Sequence, residues 1–185
     1  MPLSNTVSRR LAHTRTVTCR AYIREDGLWD IEGHMTDIKT QNIANQDRGG
    51  YIFAGEPVHE MWLRITIDTT LKIHDAEAST EFAPFSMCDV ITPVYKKLIG
   101  LSIGPGWNKK IKELLGTVYG CTHHTELLGP MATTAYQALY QDLKNQEETS
   151  NRPPAIMNTC HTLASDTPIA ERLWPEFADK STKSS

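Results

Sequence analysis

Apolar and polar residues alternate along the first part of this chain. Val17, Cys19, Ala21 and Ile23 alternate with Thr18, Arg20 and Tyr22, the period-2 signature of a strand. Asp26-Gly27 marks a hairpin turn. Trp29, Ile31 and Met35 carry a second strand to about Thr40. Asn42 to Gly50 is polar, ends in Gly49-Gly50 and reads as a loop. His59, Met61, Leu63, Ile65 and Ile67 alternate again and predict a third strand. After the turn at Asp68-Thr69-Thr70, Leu71 and Ile73 open a fourth, which carries His74 and Asp75 near its middle. Four such strands predict an antiparallel meander with one apolar face.

The period changes after Pro84. Val90 to Ile99 predicts a helix that Gly100 stops, with Pro93 in its first turn. Trp107 to Leu115 predicts a second, closed by Gly116. The longest pattern runs from Thr122 to Asn145, with Leu127, Leu128, Met131, Ala135, Ala138, Leu139 and Leu143 at spacings of three and four. Pro130 lies inside it and predicts a kink or a split. Arg152-Pro153-Pro154 ends the regular part. Ile156 to Leu163 is a short segment, Ile169 to Phe177 a small terminal helix, and 179–185 a disordered tail. Strands first and helices afterwards predict an α+β fold, with an antiparallel sheet of three or four strands and helices packed on one face. The expected organisation is one α+β domain over 1–178.

Composition narrows the classes. With 185 residues, one core is the natural expectation. A net charge of −3 argues against a general nucleic-acid binder, which carries a basic excess. No apolar leader precedes Arg9-Arg10, and no apolar run reaches membrane-spanning length. The reading is therefore a cytoplasmic protein. Its four cysteines, Cys19, Cys88, Cys121 and Cys160, are expected as thiols or metal ligands rather than disulfides.

Several segments carry a resemblance. They are Arg9-Arg10, Thr14-Arg15-Thr16, Arg24 through Gly33, Asp37-Ile38-Lys39, Leu98-Ile99-Gly100-Leu101, Gly120-Cys121-Thr122-His123 and Cys160. Together, over about residues 8 to 177, they resemble the bacterial family DUF2889, a domain of unknown function. The resemblance implies a compact bacterial cytoplasmic protein and supplies no reaction. The family pattern Gly-Cys-Thr-His-Leu has His124 here in place of leucine, which ranks His124 below His123 as a site residue.

The chemistry concentrates at Gly120-Cys121-Thr122-His123-His124. Thiolate and imidazole suit soft and borderline metals and also make up cysteine-nucleophile sites. Cys88, Cys121, His123 and Cys160 form the expected metal set, brought from three segments. Two positions apart in a regular helix, Cys121 and His123 would diverge, so they share an ion only if Cys121 precedes the first turn. Four protein ligands would make a closed structural zinc site; three with an open position would permit catalysis. The expected function is a zinc- or iron-dependent enzyme of hydrolase or lyase type on a small organic molecule, with Cys121 and His123 as catalytic residues. A metal-carrying or ligand-binding accessory protein is the alternative. A second reading makes Cys121 a nucleophile with a histidine as base. Four inert buried thiols remain the cheapest explanation. The expected partner is a small-molecule substrate, with no nucleic acid, no membrane and self-association left open.

The remaining candidates are plainer. His59-Glu60 starts like a zinc-protease helix, but Leu63 stands where the second histidine is needed, on a strand. His74 and Asp75 point to opposite faces of a strand; His34 with Asp37 is a second carboxylate–imidazole possibility, and both histidines read as surface groups. Gly104-Pro105-Gly106 before Lys109-Lys110 reads as a tight loop rather than an anion cradle. Arg9, Arg10, Arg15, Arg20 and Arg24 read as a solvated face that could steer an anion such as a coenzyme A thioester.

Overall fold

The computed structural model describes residues 3–4, 7–147 and 152–179. The chain divides into two compact units, Met1–Leu139 and Tyr140–Ser185. In the first, four long strands form one antiparallel sheet in the order β1-β2-β5-β6: β1 (His13–Ile23), β2 (Trp29–Lys39), β5 (Pro57–Ile67) and β6 (Ile73–Phe82). The predicted meander and α+β class are borne out. The first hairpin closes at Gly27, whose φ of 82° no β-branched residue would accept.

The segment expected as a loop before the third long strand instead holds a hairpin of three-residue strands, β3 (Ile43–Asn45) and β4 (Gly50–Ile52). Three residues are too few to show an alternation. Gly49 and Gly50, both at positive φ, turn the chain into β4.

The buried face follows the odd-numbered positions of β2 and β5. Ile31, Met35, Met61, Leu63, Ile65 and Ile67 lie on it, all with at most 1% exposure. Helix α2 (Thr122–Ala138) covers it with Leu127, Leu128, Met131 and Ala135. The contact is closest at Gly33, where a Cβ would stand 2.7 Å from Met131 Sδ. Helix α1 (Trp107–Leu115) has the predicted bounds and buries Trp107, Ile111 and Leu115. The helix expected over 90–99 is a 3₁₀ segment, Cys88–Leu98, that buries Tyr95 and Leu98. Pro93, inside it, has no N–H to close an α-turn.

The long pattern over 122–145 divides, but not at Pro130. Helix α2 runs unbroken through Pro130 and ends at Leu139. The clash a proline makes with the residue before it involves that residue's Cβ, and here that residue is Gly129, which has none. The break comes where the apolar stripe ends: Leu139 is fully buried and α3 (Tyr140–Glu147) is polar.

In the second unit, Thr167 caps α4 (Pro168–Leu173) by accepting a hydrogen bond from the Ala170 N–H at 3.2 Å, with Pro168 in the first turn. Of the predicted tail, residues 180–185 lie outside those described. No helix among the described residues is long and apolar enough to cross a membrane.

The fit of α2 on the sheet is testable. Gly33→Ala should cost about 1–3 kcal/mol through overpacking. Met131→Ala in the same chain should remove most of that cost, because the side chain in the way is gone. A double-mutant cycle by urea unfolding measures the coupling, and simple additivity would show that the two positions do not meet.

Candidate functional site

One end of the buried face is polar. Arg15 on β1, Asp37 on β2 and His59 on β5 lie side by side in the sheet register, Arg15 opposite Asp37 and Asp37 opposite His59. Each shares the parity of its strand's apolar positions, so each points toward α2 rather than away from it. A β-bulge follows Asp37, where the regular ladder ends. His13, two residues before Arg15, joins from the same side. His123, the second residue of α2, comes from the helix side.

Asp37 is the centre of this group and only 2% exposed. Arg15 grips it with both arms: Nε donates to Oδ1 at 2.8 Å and Nη2 to Oδ2 at 2.7 Å. His13 Nε2 lies 3.0 Å from Oδ1 and His59 Nδ1 3.1 Å from Oδ2. His123 Nε2 stands 3.8 Å from Oδ2. The third nitrogen of Arg15, Nη1, reaches Glu126 on α2 at 2.5 Å and ties sheet to helix. The rings of His59 and His123 lie 3.8 Å apart at 32°.

These contacts set the charges. Burial alone would raise the pKa of Asp37. The hydrogen bonds and charge of Arg15, with help from His13 and His59, overcome that and hold it at about 2. Burial lowers His59 first, then the neighbouring His123, against the pull of Asp37. Burial also lowers His123, then the positive charge of Arg15, against Asp37 and Glu126. At neutral pH the site therefore offers one carboxylate and two uncharged imidazoles.

The expected ligand set is distributed differently. Cys121 occupies the N-cap position of α2, still in extended backbone at φ −92°, ψ 129°, as sharing a site with His123 required. Its Sγ lies 4.0 Å from His123 Nδ1. Cys88 begins the 3₁₀ segment and is half-buried. Cys160 is exposed in the second unit, at the start of a short 3₁₀ turn. Among the described residues, the group with ligand atoms all within 4.8 Å of one another is Asp37, His59 and His123. It shares His123 with the expected set. His59, set aside with the failed zinc-protease pattern, and Asp37, weighed only as a carboxylate partner for His34, are the members that sequence reasoning missed.

His124 is fully buried, its Nε2–H donating to the Ser79 carbonyl at 3.0 Å. Burial lowers its pKa, against that hydrogen bond. His34 faces the other side of the sheet, stacked on Trp62 at 3.8 Å and 3.0 Å from Glu60. His74 pairs with Asp68 at 2.6 Å and Asp75 with Lys96 at 2.6 Å, so the adjacent pair is indeed split. Of the early arginines, Arg15 is drawn into the site, and Arg24 pairs with Asp26 and Asp30.

A family model described as "Protein of unknown function (DUF2889)" matches residues 13–137, ending well before the 177 to which the resemblance extended. The chain belongs to that family. The match includes every residue of the Asp37 cluster and excludes Cys160. No curated protein and no solved structure is detectably similar to the chain.

The electrostatics fix how the protein responds to acid. His59, His123 and His124 are held neutral below their ordinary pKa, so the unfolded chain takes up protons first as pH falls past about 6.5. Their stabilisation is complete above that pH and lost progressively below it. The Asp37 contribution survives to lower pH, because it is lost only as pH falls from the ordinary carboxylate range toward about 2. The melting temperature should decline steadily from pH 7 to pH 5. A rise over that interval would contradict the burial of these histidines.

Proposed function

We propose that Asp37, His59 and His123 bind one zinc or iron(II) ion and that the protein is a metal-dependent enzyme acting on a small organic molecule. The observation that carries this reading is the convergence of one buried carboxylate and two neutral imidazoles. That donor set suits both ions and leaves coordination positions open.

The fit rests on the atoms present. Donors about 2.1 Å from a tetrahedral or octahedral ion stand about 3.0–3.4 Å apart. Asp37 Oδ2 is 3.1 Å from His59 Nδ1 and 3.8 Å from His123 Nε2, and the three ligand atoms lie within 4.8 Å of one another, so His123 must draw closer for the set to close. His59 Nδ1 and Asp37 Oδ2 already share a proton where the ion would sit. Moving that proton to His59 Nε2 frees Nδ1 at no cost in charge. When bound, the ion supplies a Lewis acid for a substrate oxygen or for water. His13 and Arg15 Nε hold the carboxylate at Oδ1, and Arg15 Nη2 also donates to Oδ2, as supporting groups do in metal sites. Hydrolysis and lyase chemistry both fit this arrangement.

A metal-carrying role has one observation in its favour. Arg15 and His13 supply Asp37 with hydrogen bonds of their own, so the carboxylate stays matched in charge and hydrogen bonds whether or not it holds an ion. A carrier would give up its ion to a competing chelator within minutes and show no turnover.

Zinc titration by calorimetry of untagged protein tests the proposal. One ion per chain is expected, with His59→Gln and His123→Gln each weakening binding at least tenfold and Cys88→Ser and Cys160→Ser leaving it unchanged. If those two cysteine variants lose the ion while His59→Gln retains it, the ligand set is the cysteine-rich one. Absence of both zinc and iron binding removes the metal reading altogether.

A further inference from the structure

His123 has two ring nitrogens, and the structure gives them different neighbours. Nε2 faces Asp37 Oδ2 at 3.8 Å, and Nδ1 faces Cys121 Sγ at 4.0 Å. A neutral imidazole carries one proton, on one nitrogen or the other. With the proton on Nε2, that nitrogen has no lone pair for an ion. With the proton on Nδ1, the Nε2 lone pair points at Asp37 and is free to ligate.

The surroundings favour Nδ1. A carboxylate accepts about four hydrogen bonds, and Asp37 already has four donors or partners at 2.7–3.1 Å: two from Arg15, one from His13 and one from His59. A fifth donor, at 3.8 Å, gains little. Beside Nδ1, by contrast, stands a sulfur with its own outlet. The Cys121 thiol donates toward Met61 Sδ at 4.0 Å, leaving the sulfur lone pairs to face the imidazole N–H. The geometry thus forms a chain from His123 Nδ1–H to Cys121 sulfur, and from the Cys121 thiol to Met61.

The sulfur is held firmly in this position. The Tyr95 hydroxyl accepts from the Cys121 N–H at 3.1 Å and donates to the Cys121 carbonyl at 2.9 Å. Tyr95 is itself fully buried and shares Thr125 Oγ1 at 2.9 Å. Met61 is 1% exposed in the sheet core. Cys121 is therefore pinned from its backbone and from its side chain, with its free side toward His123.

We infer that Cys121 is a positioning residue for the metal site: its sulfur accepts the Nδ1–H of His123, selects that tautomer and so presents Nε2 to the ion. Histidine ligands commonly donate their second nitrogen to an oxygen acceptor in this way; here the acceptor is sulfur. The functional meaning rests on the metal reading, while the tautomer does not. The inference places Cys121 one step behind the ion.

Two measurements test it. Long-range ¹H–¹⁵N spectra of the imidazoles in metal-free wild-type protein should show His123 protonated at Nδ1, and an Nε2-protonated ring would overturn the inference. Zinc affinity should fall about 10–100-fold in Cys121→Ala, as loss of a supporting group does. It should recover most of the way in Cys121→Ser, whose hydroxyl also accepts. Wild-type affinity in Cys121→Ala would overturn the inference. A wild-type protein that binds no zinc sinks the metal reading, and the spectra then decide the tautomer on their own.

Discussion

A carboxylate buried to 2% exposure is costly unless it is matched in charge and hydrogen bonds. Asp37 is matched by the fork of Arg15, and much of the molecule's organisation follows from that pair. Arg15 must lie on β1 directly across from β2, which fixes the register of the first hairpin at its open end. Its remaining nitrogen reaches Glu126, which fixes the first turns of α2 over the sheet. With helix and sheet held together there, His59 from β5 and His123 from α2 stack beside the carboxylate. The pair thus serves structure and site at once: it neutralises the buried carboxylate, and the neighbouring imidazoles stay uncharged.

The opposite end of the same face is apolar. Gly33 lets Met131 lie against β2, and Leu127, Ala135 and Leu139 continue the seal. This division gives the chemistry its place. The helix N-terminus, with Cys121 held by Tyr95, stands over the polar end, while the rest of the helix excludes water from the core. Segments that carry the family resemblance, Thr14-Arg15-Thr16, Asp37-Ile38-Lys39 and Gly120-Cys121-Thr122-His123, converge at that polar end.

A signal for the site was present in the alternation. Arg15 precedes Val17, Asp37 follows Met35 and His59 precedes Met61, each two residues beyond an apolar position and in phase with it. In an antiparallel sheet those three places fall at one end of one face. A charged or ionisable residue in the phase of the core is the mark of a buried polar group. Treated one strand at a time, the three residues look like the solvated ends of strands, because the phase argument has force only once the strands are paired. The cysteines attracted attention for the opposite reason. Their side-chain chemistry is conspicuous in a sequence, whereas the strand phase that marks Asp37 and His59 is not.

The long strands, the first hairpin turn, α1 and the α+β class are local matters of period, turn chemistry and stop signals, and the sequence by itself determined them. It also identified Cys121 and His123 as neighbours at a helix start, since a glycine followed by an apolar helical stripe defines that boundary. Tertiary structure alone decided the rest. It chose Leu139 over Pro130 as the end of α2, because the end of burial outweighed a proline whose preceding glycine relieved the clash. It brought Asp37 and His59 to His123, because strand register and helix placement are set by burying a whole face, and no single segment carries that information.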